Sequence, residues 1–261
     1  MKENLIPYIL HLADNALILG QRNAEWCGHG PVLEQDIAIT NISLDLIGQA
    51  RNFYQYAAQL INESQKAAAS KTPSPGERGE VTEDSLAYLR KEKEYTNCLL
   101  VEQPNGDWAQ TILRQYFFSQ YQYFLFQQLQ KGDDKQIAAI AAKSLKEITY
   151  HVRWSSEWVI RLGNGTDESH NRMVKAVDEL WRYCGEMFTP AEYEEAQGID
   201  FITLKDEWLQ KLKAVFTDAV LQIPEKTFMQ TGGKEGRHTE YLGYILAELQ
   251  YMQRTYPGCE W

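Results

Sequence analysis

An all-α fold, a bundle of long helices with shorter helices at its flanks, is what this 261-residue sequence predicts. Three observations carry the prediction. Apolar residues recur at helical spacing over long segments, as in Leu5, Ile9, Leu12, Ala16 and Leu19. No alternating run of β-branched residues exceeds about four positions, the usual lower bound for a strand. The chain is 44% apolar and carries 7 Trp, 15 Tyr and 9 Phe, enough to fill one substantial core. A single domain over residues 1–261 is the expectation.

Residues 4–24 read as the first helix. Pro31 suits the first turn of a second helix, running to about Asn62. Ile37, Ile39, Ile42, Leu44, Leu46, Ile47, Phe53 and Leu60 cover most of its circumference, which predicts burial among other helices. Residues 65–82 are rich in Ser, Ala, Pro and Gly and predict a mobile loop. Helix resumes over about 83–100. Pro104, Asn105 and Gly106 then form a turn, and Asp107 is a good N-cap. Residues 107–131 and 134–162 read as two more long helices. The first is dense in aromatics (Tyr116, Phe117, Phe118, Tyr121, Tyr123, Phe124, Phe126), which predicts a core stripe. A helix at 168–188, an irregular acidic stretch, a helix at about 203–222, a glycine-rich loop and a last helix from His238 to about Arg254 complete the chain.

The charge balance narrows the function. With 36 Asp and Glu against 26 Lys and Arg, the net charge is −10. No clustered basic face is available for nucleic acid. No stretch approaches the roughly 18 uncharged apolar residues of a membrane span. His11, Asp14 and Asn15 interrupt the N-terminal apolar run, so no secretory signal is expected. Cys27, Cys98, Cys184 and Cys259 lie more than 70 positions apart, which excludes a zinc framework and predicts free thiols in the cytoplasm.

An acidic helical chain invites a search for a carboxylate-bridged di-iron site. Such a site needs a Glu from each of two helices and a Glu-x-x-His from each of two others. Glu235 and His238 give the one literal match, but in TGGKEGRH, whose glycines oppose a rigid helix. Glu147 and His151, four apart, read as a polar pair on a helix. Lys234 and Arg237 in the same glycine-rich segment are candidates for an anion-binding nest, an ordinary helix-capping loop being the alternative. Asn41, Asp45, Gln49 and Asn52 share one stripe of the second helix. With Asp14, Asn15 and Arg51 as partners they predict a buried polar network, or else a face that touches another subunit.

Five segments carry a resemblance. They are DNALILGQRNAEWCGHGPVLEQDIAITNISLDLIGQARN, LLVEQPNGDWAQTILRQYF, KEITYHVRW, RLGNGTDES and TGGKEGRHTEYLGYILAELQYMQRTYPG. In this order they resemble the C subunits of bacterial 1,2-phenylacetyl-CoA epoxidases over nearly the whole chain. The resemblance implies a ferritin-like bundle within a cytoplasmic, NADPH- and O2-dependent monooxygenase of aerobic phenylacetate catabolism. It implies a catalytic A subunit that holds the di-iron centre, a small B subunit, and a reductase carrying flavin and iron–sulfur groups. The C subunit, with no cofactor of its own, pairs with A as a structural, non-catalytic component. A homodimer in isolation and a contact with the CoA thioester are further expectations.

Laying the A-subunit ligand pattern over this chain puts Ala16, Leu46, Gln49, Gln115, Ile148 and His151 at the ligand positions. Only His151 keeps a ligand type, because hydrocarbon side chains cannot coordinate iron. The candidates for CoA contact are Glu94, Tyr95, Thr96 and Asn97, and Glu195, Ala196 and Gln197. The competing expectation is a helical di-iron oxygenase with a metal site of its own.

Overall fold

Two helical hairpins form the centre of the protein in a computed structural model, which describes residues 2–69 and 80–259. The first joins α1 (Lys2–Ala24) to α2 (Leu33–Ala69). They approach closely at Gly20, where a Cβ would lie 3.2 Å from Ile47 Cγ1, and Ser43 Oγ donates to the Gly20 carbonyl at 2.6 Å. Two short helices follow, α3 (Glu83–Tyr88) and α4 (Leu99–Glu102). The second hairpin joins α5 (Trp108–Leu129) to α6 (Lys135–Gly163). Asp107 caps α5 by accepting from Gln110 N–H, and Asp134 caps α6 by accepting from Gln136 and Ile137 N–H. Around these pack α7 (Asp167–Leu180), α8 (Glu192–Glu195), α9 (Phe201–Asp218), α10 (Glu240–Leu249) and α11 (Tyr251–Thr255). The described residues contain no strand.

The aromatic stripe of α5 is core, as its density implied. Tyr116, Phe117, Phe118, Tyr121, Phe124 and Phe126 are buried. Phe117 meets Trp181, Trp208 and Phe216, and Trp208 Nε1 donates to the Phe117 carbonyl at 3.0 Å. Burying the indole with its N–H paired avoids the cost of an orphaned donor.

Among the expectations that the structure corrects, four concern the helices between residues 31 and 100, and the helix expected at 168–188 ends at Leu180. Pro31 precedes the second helix, which starts at Leu33 and continues past Asn62 to Ala69. Part of the expected 65–82 loop is therefore helical. Residues 70–79 lie outside the described residues, and Asn62 pins Val81 through two hydrogen bonds, to its carbonyl and from its N–H. The second helix is also not buried all round, because Ile37 and Leu44 face outward.

The fourth correction concerns residues 83–100, which do not form one helix. Their backbone is diverted to α1: Thr96 N–H donates to Asp14 Oδ2, Cys98 N–H to Asn15 Oδ1, and His11 Nδ1 to the Thr96 carbonyl, at 2.8, 2.8 and 2.6 Å. Asp14 is the hub of this attachment. It also accepts from Tyr54 OH at 2.5 Å and from both terminal nitrogens of buried Arg90.

Asp14→Ala should therefore strand the Arg90 charge in the core and lower stability by about 3–5 kcal/mol in urea unfolding. The double variant Asp14→Ala/Arg90→Met should recover part of that loss. A second expectation concerns Val220, the exposed residue that ends α9 with φ 55°. Leu221 N–H closes that turn onto the Phe216 carbonyl at 2.8 Å. A β-branched residue is disfavoured in this left-handed conformation. Val220→Gly should raise stability by about 1 kcal/mol, read from thermal unfolding.

Candidate functional site

The centre of the bundle is where a ferritin-like protein would hold two irons. Ala16 on α1, Leu46 on α2 and Ile148 on α6 are fully buried there and bring only hydrocarbon. Gln115 on α5 is buried and engaged elsewhere: it accepts from Asn23 of α1 at 2.7 Å and donates to Ser119 at 2.7 Å. Gln115 and His151 thus have separate hydrogen-bond partners.

The structure brings Gln49 and His151 into one polar cluster between α2, α5 and α6. His151 Nε2 lies 3.0 Å from Asp45 Oδ2, and Gln122 Nε2 donates to Gln49 Oε1 at 3.3 Å. Burial, and then the nearby Asp45 carboxylate, push the Glu147 carboxyl upward, against the opposing pull of the Gln49 amide. Gln122 has no counterpart among the expected residues, since nothing in the sequence tells which turn of α5 faces α2.

These residues do not fit a di-iron centre. Three of the six positions have no donor atom, two are amides, and the imidazole is held by Asp45. Among the described residues, no group of three or more His, Cys, Asp and Glu side chains could hold a metal ion. Glu235 and His238 do not converge either. Glu235 pairs with Arg237, while His238 binds Glu102 and the Tyr95 carbonyl.

The polar stripe of α2 is not one buried network. Asn41 is exposed, Asn52 and Asp45 are half-buried, and Gln49 is buried. Asp14 belongs to the Arg90 hub, and Arg51 lies outside, 3.6 Å from Glu83. Periodicity grouped these residues correctly on one side of α2, but that side straddles the boundary between core and solvent.

The glycine-rich nest exists, and its anion is internal. Gly232 and Gly233 N–H donate to Glu186 Oε1 at 2.7 and 2.8 Å, and Leu99 N–H donates to Glu186 Oε2 at 2.7 Å. Gly233 can approach because it lacks a Cβ, which would lie 2.3 Å from the Asn97 carbonyl. Lys234 is buried and pairs with Glu194 at 2.8 Å, leaving it closed to an outside anion. Arg237 is exposed and paired with Glu235.

Glu102 works as Glu186 does: it accepts from Thr239 N–H and Oγ1 at the start of α10, and from Asn97 Nδ2. The sequence signalled the donors through their glycines. It did not signal these acceptors, which lie tens of residues away in the chain.

The CoA-contact candidates divide in the same way. Tyr95 and Asn97 are buried, with Tyr95 OH donating to the Ala87 carbonyl at 2.6 Å. Thr96 is held by Asp14 and joined to Tyr193. Gln197 donates to the Tyr193 carbonyl. Glu94, Glu195 and Ala196 are exposed. The polar groups of Thr96 and Gln197 are thus taken up by contacts that hold the fold.

His238 makes the site pH-dependent. Burial alone would lower its imidazole, but the Glu102 carboxylate outweighs this and raises it. A raised folded-state pKa stabilises the fold below the unfolded value, about 6.5, and that contribution is lost as pH rises through the folded value. His238→Gln should remove this component. The stability difference between wild type and variant should shrink as pH rises above about 6.5, measured by urea unfolding at a series of pH values.

Comparison with known proteins adds the family. The sequence profile described as "Phenylacetic acid catabolic protein" matches residues 1–261. The chain is similar to the C subunit of the 1,2-phenylacetyl-CoA epoxidase of Escherichia coli (strain K12), with 47% identity over 262 residues, covering 98% of this chain and 99% of that protein. A full-length profile match and a relative of this similarity agree with the all-α architecture, and the chain belongs to the family of phenylacetic acid catabolic proteins.

Proposed function

We propose that this chain is a non-catalytic structural subunit of a multicomponent epoxidase that acts on the ring of phenylacetyl-CoA. One observation carries the reading: the positions where iron ligands would converge hold Ala16, Leu46 and Ile148, while Gln49, Gln115 and His151 are bound to neighbours in the same chain. A relative that is itself a lettered component of an epoxidase supports it. Chemistry at a metal then belongs to a catalytic A subunit of related fold. The small B subunit and a flavin- and iron–sulfur-containing reductase complete a cytoplasmic assembly. Residues 1–261 act in it as one ferritin-like domain. Any contact with the CoA thioester on this chain falls to exposed Glu94, Glu195 and Ala196.

The test is iron analysis of the chain purified alone and after co-expression with its A subunit. Alone, it should hold well under one iron per chain and epoxidise nothing. Together, the two should elute as one complex, with iron, and turn over phenylacetyl-CoA when given the reductase and NADPH. Two irons per isolated chain, with epoxidation in the absence of the A subunit, would overturn the proposal.

A further inference from the structure

Three polar atoms in the middle of the bundle reach no hydrogen-bond partner among the described residues. They are Gln49 Nε2 on α2, Gln122 Oε1 on α5 and His151 Nδ1 on α6, all closed to solvent. The three residues are 1%, 3% and 0% exposed. Buried polar groups are nearly always paired, so three orphans in one cluster call for a partner that the chain does not supply.

The two amides already touch. Gln122 Nε2 donates to Gln49 Oε1 at 3.3 Å. The two ends of an amide share one carbon, so the unused ends, Gln49 Nε2 and Gln122 Oε1, lie next to that bond. Turning both amides over would again leave one donor and one acceptor. Turning one alone would set oxygen on oxygen or nitrogen on nitrogen.

The imidazole adjoins them. His151 Nε2 lies 3.0 Å from Asp45 Oδ2, and Asp45 is one turn before Gln49 on α2. The Glu147 carboxyl, one turn before His151 on α6, feels both the Gln49 amide and the His151 ring. With Nε2–H donated to the Asp45 carboxylate, the neutral ring presents Nδ1 as an acceptor.

One donor and two acceptors select the ligand. A water molecule accepts from Gln49 Nε2 and gives its two hydrogens to Gln122 Oε1 and His151 Nδ1, about three hydrogen bonds being usual for a buried water. A metal ion or an ammonium ion cannot accept the amide hydrogen, and a chloride has no hydrogen to give. The Asp45 side chain is 34% exposed, which opens a route to solvent at the rim.

We propose that the centre of this bundle is a binding site for one ordered water molecule, held jointly by Gln49, Gln122 and His151. The site lies wholly within this chain, so it stands or falls apart from the subunit reading. A high-resolution crystal structure of the isolated chain should show one oxygen about 2.7–3.2 Å from each of the three atoms, without anomalous signal. In solution, oxygen-17 relaxation dispersion counts long-lived internal waters. Gln122→Met should lower that count by one. Tyr150→Phe, which alters an exposed side chain beside His151, should leave it unchanged.

The crystal structure needs no variant, so a Gln122→Met chain that fails to fold leaves the test standing. Three outcomes would overturn the inference alone: side chains turned onto one another with no such oxygen, an oxygen that touches the amides but not His151, or a count that folded Gln122→Met leaves unchanged. Iron at this place would overturn it together with the non-catalytic reading.

Discussion

Asp14, on α1, accepts hydrogen bonds from Tyr54, Arg90 and Thr96 in a place closed to water. A carboxylate can be buried in this way only when every strong site on it is answered. The same constraint shapes the rest of the interior. Glu186 gathers the amides of Leu99, Gly232 and Gly233, Glu102 caps α10, and Glu194 holds Lys234. Glu186 and Glu102 take up backbone N–H groups of loops and helix starts that have no partner within a helix, and Glu194 takes the Lys234 ammonium. The buried carboxylates of this chain are thus structural acceptors, and those of the Asp14 hub and the Glu186 nest are bound to this chain's own nitrogens.

That commitment explains the chemistry of the bundle centre. A di-iron site needs carboxylates free to face a metal from four helices. Here α1 contributes Ala16 at the corresponding level and its acid two residues earlier, at Asp14, where the Arg90 hub takes it. On α2 the acid is Asp45, which holds His151, and the neighbouring position is Leu46. At these positions the interior of the helical bundle holds hydrocarbon packing and amide pairs. Fold and chemistry separate at the level of single side chains.

Much of this was legible in the sequence, for reasons that can be named. Helices α5 and α6 were readable because Asp107 and Asp134 cap them and the aromatic spacing is helical. The nest was readable from its glycines. What could not be read was anything set by distant partners. Residues 83–100 have helical propensity, but Asp14 and Asn15 draw their backbone away from it. Glu186 lies 46 residues before the glycine it binds. The apolar residues of α2 predicted burial on all sides, yet composition alone cannot tell a face packed within the chain from one left exposed.

On the reading proposed above, iron in the assembled enzyme belongs to the partner, and the interior carboxylates of this chain serve structure. The most direct measurement is anomalous diffraction at the iron absorption edge from crystals of the complex with its catalytic partner. Anomalous peaks are expected within that partner alone, with His151 still paired to Asp45. A peak of comparable height beside His151, Asp45 and Glu147 would contradict the claim.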